Sequence, residues 1–138
     1  MLVQKGRLLL LVALAVLLTL GMTPIAQANV EMEVQPRMIR THPGGEVNFT
    51  LAIYNHDRVG YHCALRPVLR FPDGGIIHLP EINFMLHPHQ IIRREVTRRV
   101  PRNAPLGEYM LMFHLYDLRT GEMLTHAGTH ILVERPPL

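Results

Sequence analysis

The residues with the most chemistry in this sequence are methionines and histidines that recur at alternate positions near the C-terminus. Met110, Met112 and His114 are spaced two apart, and His126 and His130 follow a short turn. Side chains two apart in a β-strand share a face. Thioether sulfur and imidazole nitrogen form a soft-to-intermediate ligand set that suits copper, especially Cu(I). The pattern raises the hypothesis of a copper site formed by Met110, Met112, His114, His126 and His130.

A single long β-hairpin over residues 105–133 would position these side chains. Arg119-Thr120-Gly121 reverses the chain, and glycine in the third place suits a three-residue loop whose last residue needs a positive φ. Such a loop predicts that Leu118 pairs with Glu122. The core face then pairs Tyr109 with Ile131, Leu111 with Thr129 and Phe113 with Ala127. The other face pairs His114 with His126 and Met110 with His130, about 5 Å apart, and His62 could join from a neighbouring strand.

Other roles for this His/Met face stay open at this point. Methionine commonly fills gaps, and mixed polarity at alternate positions is typical of the outward face of a half-buried strand. The face could also pack against another protein, in which case Met110, Met112 and His114 would form part of the contact.

A second candidate surface is a run of arginines at Arg93, Arg94, Arg98, Arg99 and Arg102. On a strand, at least two of them share a face and could bind carboxylate or phosphate in a bidentate manner. An anionic polysaccharide, a lipid headgroup or an acidic protein would suit such a surface. The alternative is edge protection, because charges on an exposed strand discourage pairing with another chain.

The first 28 residues have the features of a signal peptide. Lys5 and Arg7 form a positive n-region, an apolar run over residues 8–20 follows, and Ala26-Gln27-Ala28 is a small-residue cleavage site. The apolar run is short for a membrane span. We therefore expect a mature domain over residues 29–138 that is periplasmic or secreted and meets the membrane only transiently, through its signal peptide.

Composition excludes several classes of function. Lys5 and Arg7 are two of the 14 basic residues, so cleavage lowers the formal charge from +3 to +1, and nucleic acid is not an expected partner. The chain has no serine, which removes every serine-nucleophile mechanism. Cys63 is the only cysteine, so no internal disulfide can form, and its apolar neighbours indicate a buried thiol. No catalytic motif is present, so we do not expect an enzyme.

Some seven or eight short alternating segments, separated by Gly/Pro turns and without a helical period, predict an all-β sandwich of two antiparallel sheets. The turn and strand residues resemble those of bacterial extracytoplasmic immunoglobulin-like domains. The residues that carry this resemblance are Pro43-Gly44-Gly45-Glu46-Val47 with Phe49, Leu51 and Asn55, then Phe71-Pro72-Asp73-Gly74, and Ala104-Pro105 with Gly107, Tyr109, Asp117 and Thr120-Gly121-Glu122.

The resemblance implies a binding, spacer or assembly module. We therefore expect an exported, non-catalytic binding or assembly module of the bacterial envelope without a cofactor. It would engage another envelope protein or an anionic polymer through Met110, Met112 and His114, or through Arg93, Arg94, Arg98 and Arg99. The alternative is a small periplasmic copper-binding protein that uses the His/Met face.

Overall fold

The computed structural model describes residues 28–138, so residues 1–27 of the predicted signal peptide lie outside the described part. The described residues form nine β-strands and contain no helix long and apolar enough to cross a bilayer. The strands are β1 (Val30–Gln35), β2 (Met38–Thr41), β3 (Glu46–Asn55), β4 (Tyr61–Arg70), β5 (Ile76–His78), β6 (Ile82–Leu86), β7 (Ile91–Arg99), β8 (Gly107–Asp117) and β9 (Met123–Val133).

The strands form two sheets. The smaller sheet has the order β1-β3-β7, and the larger sheet has the order β2-β9-β8-β4-β5, with β6 also paired to β4. Every pair is antiparallel except β2 with β9, which is parallel. The two-sheet all-β architecture agrees with the expectation from the sequence.

The core lies between the sheets and is built from the alternate residues of their inner faces. Val47, Phe49, Leu51 and Ile53 of β3 are buried, and Tyr109, Leu111, Phe113 and Leu115 of β8 are buried opposite them. The Phe49 and Phe113 ring centroids are 5.9 Å apart, so the two sheets interlock at this point. Burial of each such side chain stabilises the fold by about 1.5–3 kcal/mol.

The expectation of seven or eight strands, all antiparallel, was wrong in two elements. β2 has four residues, of which only Ile39 is buried, so it shows no alternation that a sequence pattern could detect. The segment 81–90 was expected to be irregular, yet it contains β6, of whose three inward residues Leu86 is buried, Phe84 is half-buried and Ile82 is 53% exposed. A strand that buries little apolar surface leaves a weak signal in the sequence.

The hairpin between β8 and β9 differs from the predicted one in its turn. Leu118 does not pair with Glu122. Instead, the Asp117 N–H donates to the Glu122 carbonyl at 2.9 Å, which makes the loop one residue longer than expected. Tyr116 pairs with Met123 and Leu115 pairs with Thr125, so Leu124 forms a β-bulge. The extra loop residue and the bulge cancel, and the register beyond them is the predicted one.

Pro67 lies in the middle of β4, where an edge or a bulge was expected. β6 pairs with β4 up to Leu65, and β5 pairs with it from Val68 onwards, so Pro67 sits at the break between the two. Its carbonyl accepts from the Leu79 N–H on that side at 3.0 Å. Since the N–H and C=O of one strand residue point the same way, the missing proline N–H lies on this side and does not interrupt the pairing of β4 with β8.

The described chain begins at one end of the sandwich, against the loop between β3 and β4. The Asn29 N–H donates to the Asp57 carboxylate at 2.8 Å, and the Tyr61 hydroxyl donates to the same carboxylate oxygen. The buried Asn55 amide donates to the carbonyls of Val59 and His87 at 3.0 and 2.9 Å. These bonds fix the start of β1 and the neighbouring loops to each other.

Candidate functional site

The predicted pairing of the His/Met face is confirmed in the structure. Met110 pairs with His130 and His114 pairs with His126, while Tyr109, Leu111 and Phe113 pair with Ile131, Thr129 and Ala127 on the core side. The core-side residues are buried except for the half-buried Ala127, and His126 is exposed. The hairpin therefore brings Met110, Met112, His114, His126 and His130 to one outer face.

Within this face, the histidines fall into two separate positions. The His114 and His126 rings are 6.2 Å apart between centroids. His130 lies four ladder pairs away, and its Nδ1 is 2.7 Å from the Glu108 carboxylate. Within residues 28–138, no group of three or more His, Cys, Asp or Glu side chains is arranged to hold a metal ion. A copper site on this face would depend on methionine sulfur in addition to the histidines.

Met112 lies between the two histidine positions on this face. It pairs with Gly128, where a Cβ atom would lie only 2.7 Å from the Leu111 carbonyl oxygen and would collide with the Met112 side chain. The absence of a side chain at Gly128 gives Met112 room to lie over β9. Met112 is therefore half-buried by its own sheet, as a gap-filling methionine would be.

His62 does not join the hairpin histidines. β4 is the neighbour of β8, as that possibility required, but Arg66 is the residue that pairs with His114. His62 pairs with Met85 of β6, four residues along β4 from Arg66. At about 3.3 Å per residue, four residues along β4 separate His62 from the position opposite His114 by roughly 13 Å.

Arg66 lies on this face beside His114, and it was not among the predicted site residues. Its guanidinium lies 4.5 Å from the centre of the Tyr116 ring and forms an ion pair with Glu81. The hydrogen bond to Glu81 raises the pKa of Arg66. Only the strand order places Arg66 beside His114, so alternation within a single segment could not have found it. A permanent positive charge next to His114 disfavours binding of a cation there.

The arginine run occupies β7, which is an edge strand of the smaller sheet. β7 pairs with β3 on one side only, and its other side has no neighbouring strand in the described chain. Arg94 and Arg98 pair with Leu51 and Val47, so they lie on the face that borders the core. Arg93 and Arg99, which pair with Ala52 and Glu46, lie on the opposite face.

The β7 arginines are exposed and form no ion pair with any carboxylate of residues 28–138. Their side-chain hydrogen bonds go elsewhere. Arg94 and Arg98 donate to the backbone carbonyls of Arg93 and Thr97 at 3.2 and 2.9 Å, and Arg93 lies 3.4 Å from the Tyr54 hydroxyl. The guanidinium groups therefore keep donors available for an anionic partner.

Cys63 is fully buried, as its apolar neighbours predicted. Its thiol lies 3.8 Å from the Tyr61 carbonyl oxygen. Burial, together with the nearby Asp117 carboxylate, raises the pKa of the thiol to about 11. The thiolate is the nucleophilic and metal-binding form, so Cys63 has no such role near neutral pH.

Comparison with known proteins identifies the fold but no family. No protein-family model matches the chain, and no curated protein matches its sequence. Among solved structures, the CARDB domain of a Pyrococcus furiosus protein, solved in complex with di-metal ions, has a TM-score of 0.58 at 12% identity. The match covers 79% of this chain and 90% of that one.

Two further structures match over part of their own length. Spo0M, a sporulation control protein from Bacillus subtilis, has a TM-score of 0.53 at 19% identity, and the match covers 82% of this chain and 51% of Spo0M. The alkylpurine DNA glycosylase AlkC from Pseudomonas fluorescens, bound to DNA containing an abasic site analog, has a TM-score of 0.55 at 14% identity. That match covers 77% of this chain and 31% of AlkC. These likenesses show an immunoglobulin-like β-sandwich.

Proposed function

We propose that this protein is an exported, non-catalytic binding module of the bacterial envelope, and that it binds an acidic, extended segment of a partner protein along β7. One observation carries the proposal: β7 is an open strand edge with four exposed arginines, none of them paired with a carboxylate of the described chain. The only acidic residue within β7 is Glu95.

A partner segment that adds to the smaller sheet as a further strand would use both the open backbone edge of β7 and its exposed arginines. Its backbone would pair with the N–H and C=O groups on the open side of β7, where it would displace the side-chain hydrogen bonds that the Arg93 and Thr97 carbonyls accept. Such backbone pairing supplies affinity that does not depend on sequence. Its acidic side chains would alternate between the two faces, and Arg94 with Arg98 on one face or Arg93 with Arg99 on the other would meet them. Arginine suits this role because its planar fork can bind a carboxylate through two parallel hydrogen bonds.

Edge protection is the competing explanation for the same arginines. It predicts that the positive charges keep β7 from pairing with a second copy of the chain and contribute nothing to partner binding. The two explanations differ in what happens when charge is removed. A binding edge loses affinity for an acidic strand, whereas a protected edge gains self-association.

A peptide titration separates them. A short labelled peptide that alternates Glu and Val should bind the protein, with an affinity that falls as salt is raised. We expect each of the variants R93Q/R99Q and R94Q/R98Q to bind about 2- to 30-fold more weakly, since each removes two exposed pairs that contribute roughly 0.2–1 kcal/mol apiece. The variant R37Q/R119Q removes the same charge outside β7 and should bind as the wild type does.

Two outcomes of these measurements would contradict the proposal. If the wild type does not bind the peptide while the β7 variants form dimers or larger species in sedimentation experiments, the arginines protect the edge from pairing with a second copy of the chain. If R37Q/R119Q weakens binding as much as the β7 variants do, the attraction comes from net charge and not from β7.

A copper site on the His/Met face is a second proposal, favoured by the directly paired His114 and His126 rings. A metal that binds the native state raises its stability, by about 2.7 kcal/mol at a concentration one hundred times the Kd. Excess Cu(I) should therefore raise the melting temperature of the wild type but not of H114A/H126A. H42A/H78A, with two histidines removed elsewhere, is the matched control.

Failure of copper to raise the melting temperature would leave the face as a possible protein contact. In that case, replacing Met110 and Met112 by threonine should weaken binding of an identified envelope partner. Unchanged partner binding in that variant would exclude the face from the contact.

A further inference from the structure

An apolar cleft of about 460 Å³ opens between the two sheets at one end of the sandwich. The buried side chains of Val47, Tyr109 and Ile131 line its deep part, and Leu69 and Ile77 line the side formed by the larger sheet. Its volume lies within the range of roughly 300–1,000 Å³ that is typical of small-molecule sites.

Unequal sheet width explains why the cleft exists. The smaller sheet is three strands wide, whereas the path across the larger sheet contains five. β1 lies close to β9, so the smaller sheet leaves the opposite side of the larger one partly uncovered. Ile77 pairs with Leu69 and faces inward, yet it is 43% exposed. An inward-facing aliphatic side chain with no layer over it is available to an apolar ligand.

The connection from β7 to β8 forms the other wall. Pro101 and Pro105 both line the cleft, and proline has no N–H to donate. The Tyr109 hydroxyl already donates to the Pro105 carbonyl at 2.7 Å. Apart from Asn103 and Arg99, the lining residues therefore offer no free side-chain hydrogen-bond donor, which favours a hydrocarbon over a polar molecule.

Positive charge lies at the border of this cleft. Arg99 pairs with Glu46 on the outer face of β7, but it is the last residue of that strand and lines the cleft there. Arg98 pairs with the lining residue Val47 on the face that borders the core. Both arginines are exposed and form no ion pair with a carboxylate of residues 28–138. An apolar cavity with unpaired guanidinium groups at its border is complementary to an amphiphile with one anionic end.

We propose that the cleft binds a medium-chain fatty acid, with the hydrocarbon chain between the sheets and the carboxylate at Arg98 and Arg99. The site shares Arg98 and Arg99 with the peptide edge proposed above, but it also uses the apolar lining between the sheets, and Arg93 and Arg94 belong to the peptide edge alone. Binding of the fatty acid would cover the exposed part of Ile77 and give Arg98 and Arg99 the anionic partner that they lack.

The apolar part of the proposal is tested by isothermal titration of the full mature domain with dodecanoate, kept below the concentration at which it forms micelles. The variant I77W should fill the cleft and weaken binding at least tenfold. I76W is the matched control, because Ile76 is 57% exposed and, as the next residue in β5, faces the opposite side. If I77W does not fold, as judged by circular dichroism, A104L fills the same cleft from the connection between β7 and β8.

The charged part is tested with a second pair of measurements. R98Q/R99Q should bind dodecanoate several-fold more weakly than the wild type but dodecan-1-ol equally well, and R93Q/R94Q should bind dodecanoate normally. Absence of dodecanoate binding, or equal loss in I77W and I76W, would overturn the cleft as a fatty-acid site. Unchanged affinity in R98Q/R99Q would overturn the role of the arginines. Peptide binding is measured separately, so either proposal can fail alone.

Discussion

Cys63 shows how strongly the core determines the chemistry of one side chain. The thiol has no exposed surface, and burial followed by the Asp117 carboxylate raises its pKa from 9.0 to about 11. The sequence predicted the burial, because Cys63 and Leu65 alternate with more polar positions. It could not predict Asp117 as a neighbour, since that contact depends on β4 lying beside β8.

The Cys63 thiol should therefore be unreactive in the native protein. At pH 8, a thiol reagent such as Ellman's reagent should leave the folded protein unmodified and react rapidly once urea is added. Rapid modification of the native protein would contradict the described packing.

The raised pKa of Cys63 also predicts how the free energy of unfolding changes with pH. Between pH 9 and about 11 the unfolded chain has lost the Cys63 proton and the folded chain has kept it, so the free energy of unfolding should fall as pH rises through this window. The fall should be smaller in C63A, measured by urea unfolding. Part of it should persist there, because burial and Asp57 also raise the pKa of Tyr61 to about 12.

At the scale of elements, the β8–β9 hairpin was predicted with the right register and the wrong turn. Alternation of apolar residues fixes which residues face the core, because a slip of one residue would expose all of them. It therefore determined the pairs from Tyr109 to Leu115. It did not determine the turn, where the longer loop and the bulge at Leu124 compensate for each other.

This compensation predicts that Leu124 can be deleted without a change of register. Removing it joins the pair of Tyr116 with Met123 directly to the pair of Leu115 with Thr125, which leaves His114 opposite His126. We expect the deletion variant to unfold cooperatively at a somewhat lower temperature, since the half-buried Leu124 contributes up to about 3 kcal/mol.

Deletion of Ala127 is the control, because it moves every later β9 residue to the opposite face. It should abolish cooperative unfolding in circular dichroism. If both deletions are equally harmful, the bulge has a structural role that the register does not account for.

At the scale of the whole molecule, composition and turn spacing were enough to predict two packed sheets, but not how strands are shared between them. The faces of β7 could not be assigned in advance, because Arg94 and Arg98 interrupt the inward series of Ile92 and Val96. Those arginines are tolerated only because the strand is an edge. The sequence pattern that looked irregular therefore marks the open side of the sandwich, where the proposed peptide edge and the proposed fatty-acid cleft lie.

The hydrogen bond from Asn29 to Asp57 has a consequence for how the protein would mature. If an export peptidase cuts after Ala28, the new chain begins with a positively charged amine at the position where the backbone N–H lies 2.8 Å from the carboxylate. Processing would then replace a hydrogen bond from a neutral N–H to the carboxylate by an ion pair and tighten the first strand. Mass spectrometry of the exported protein would show whether it begins at Asn29, and loss of thermal stability in D57N would be larger for that form than for a chain extended by several residues.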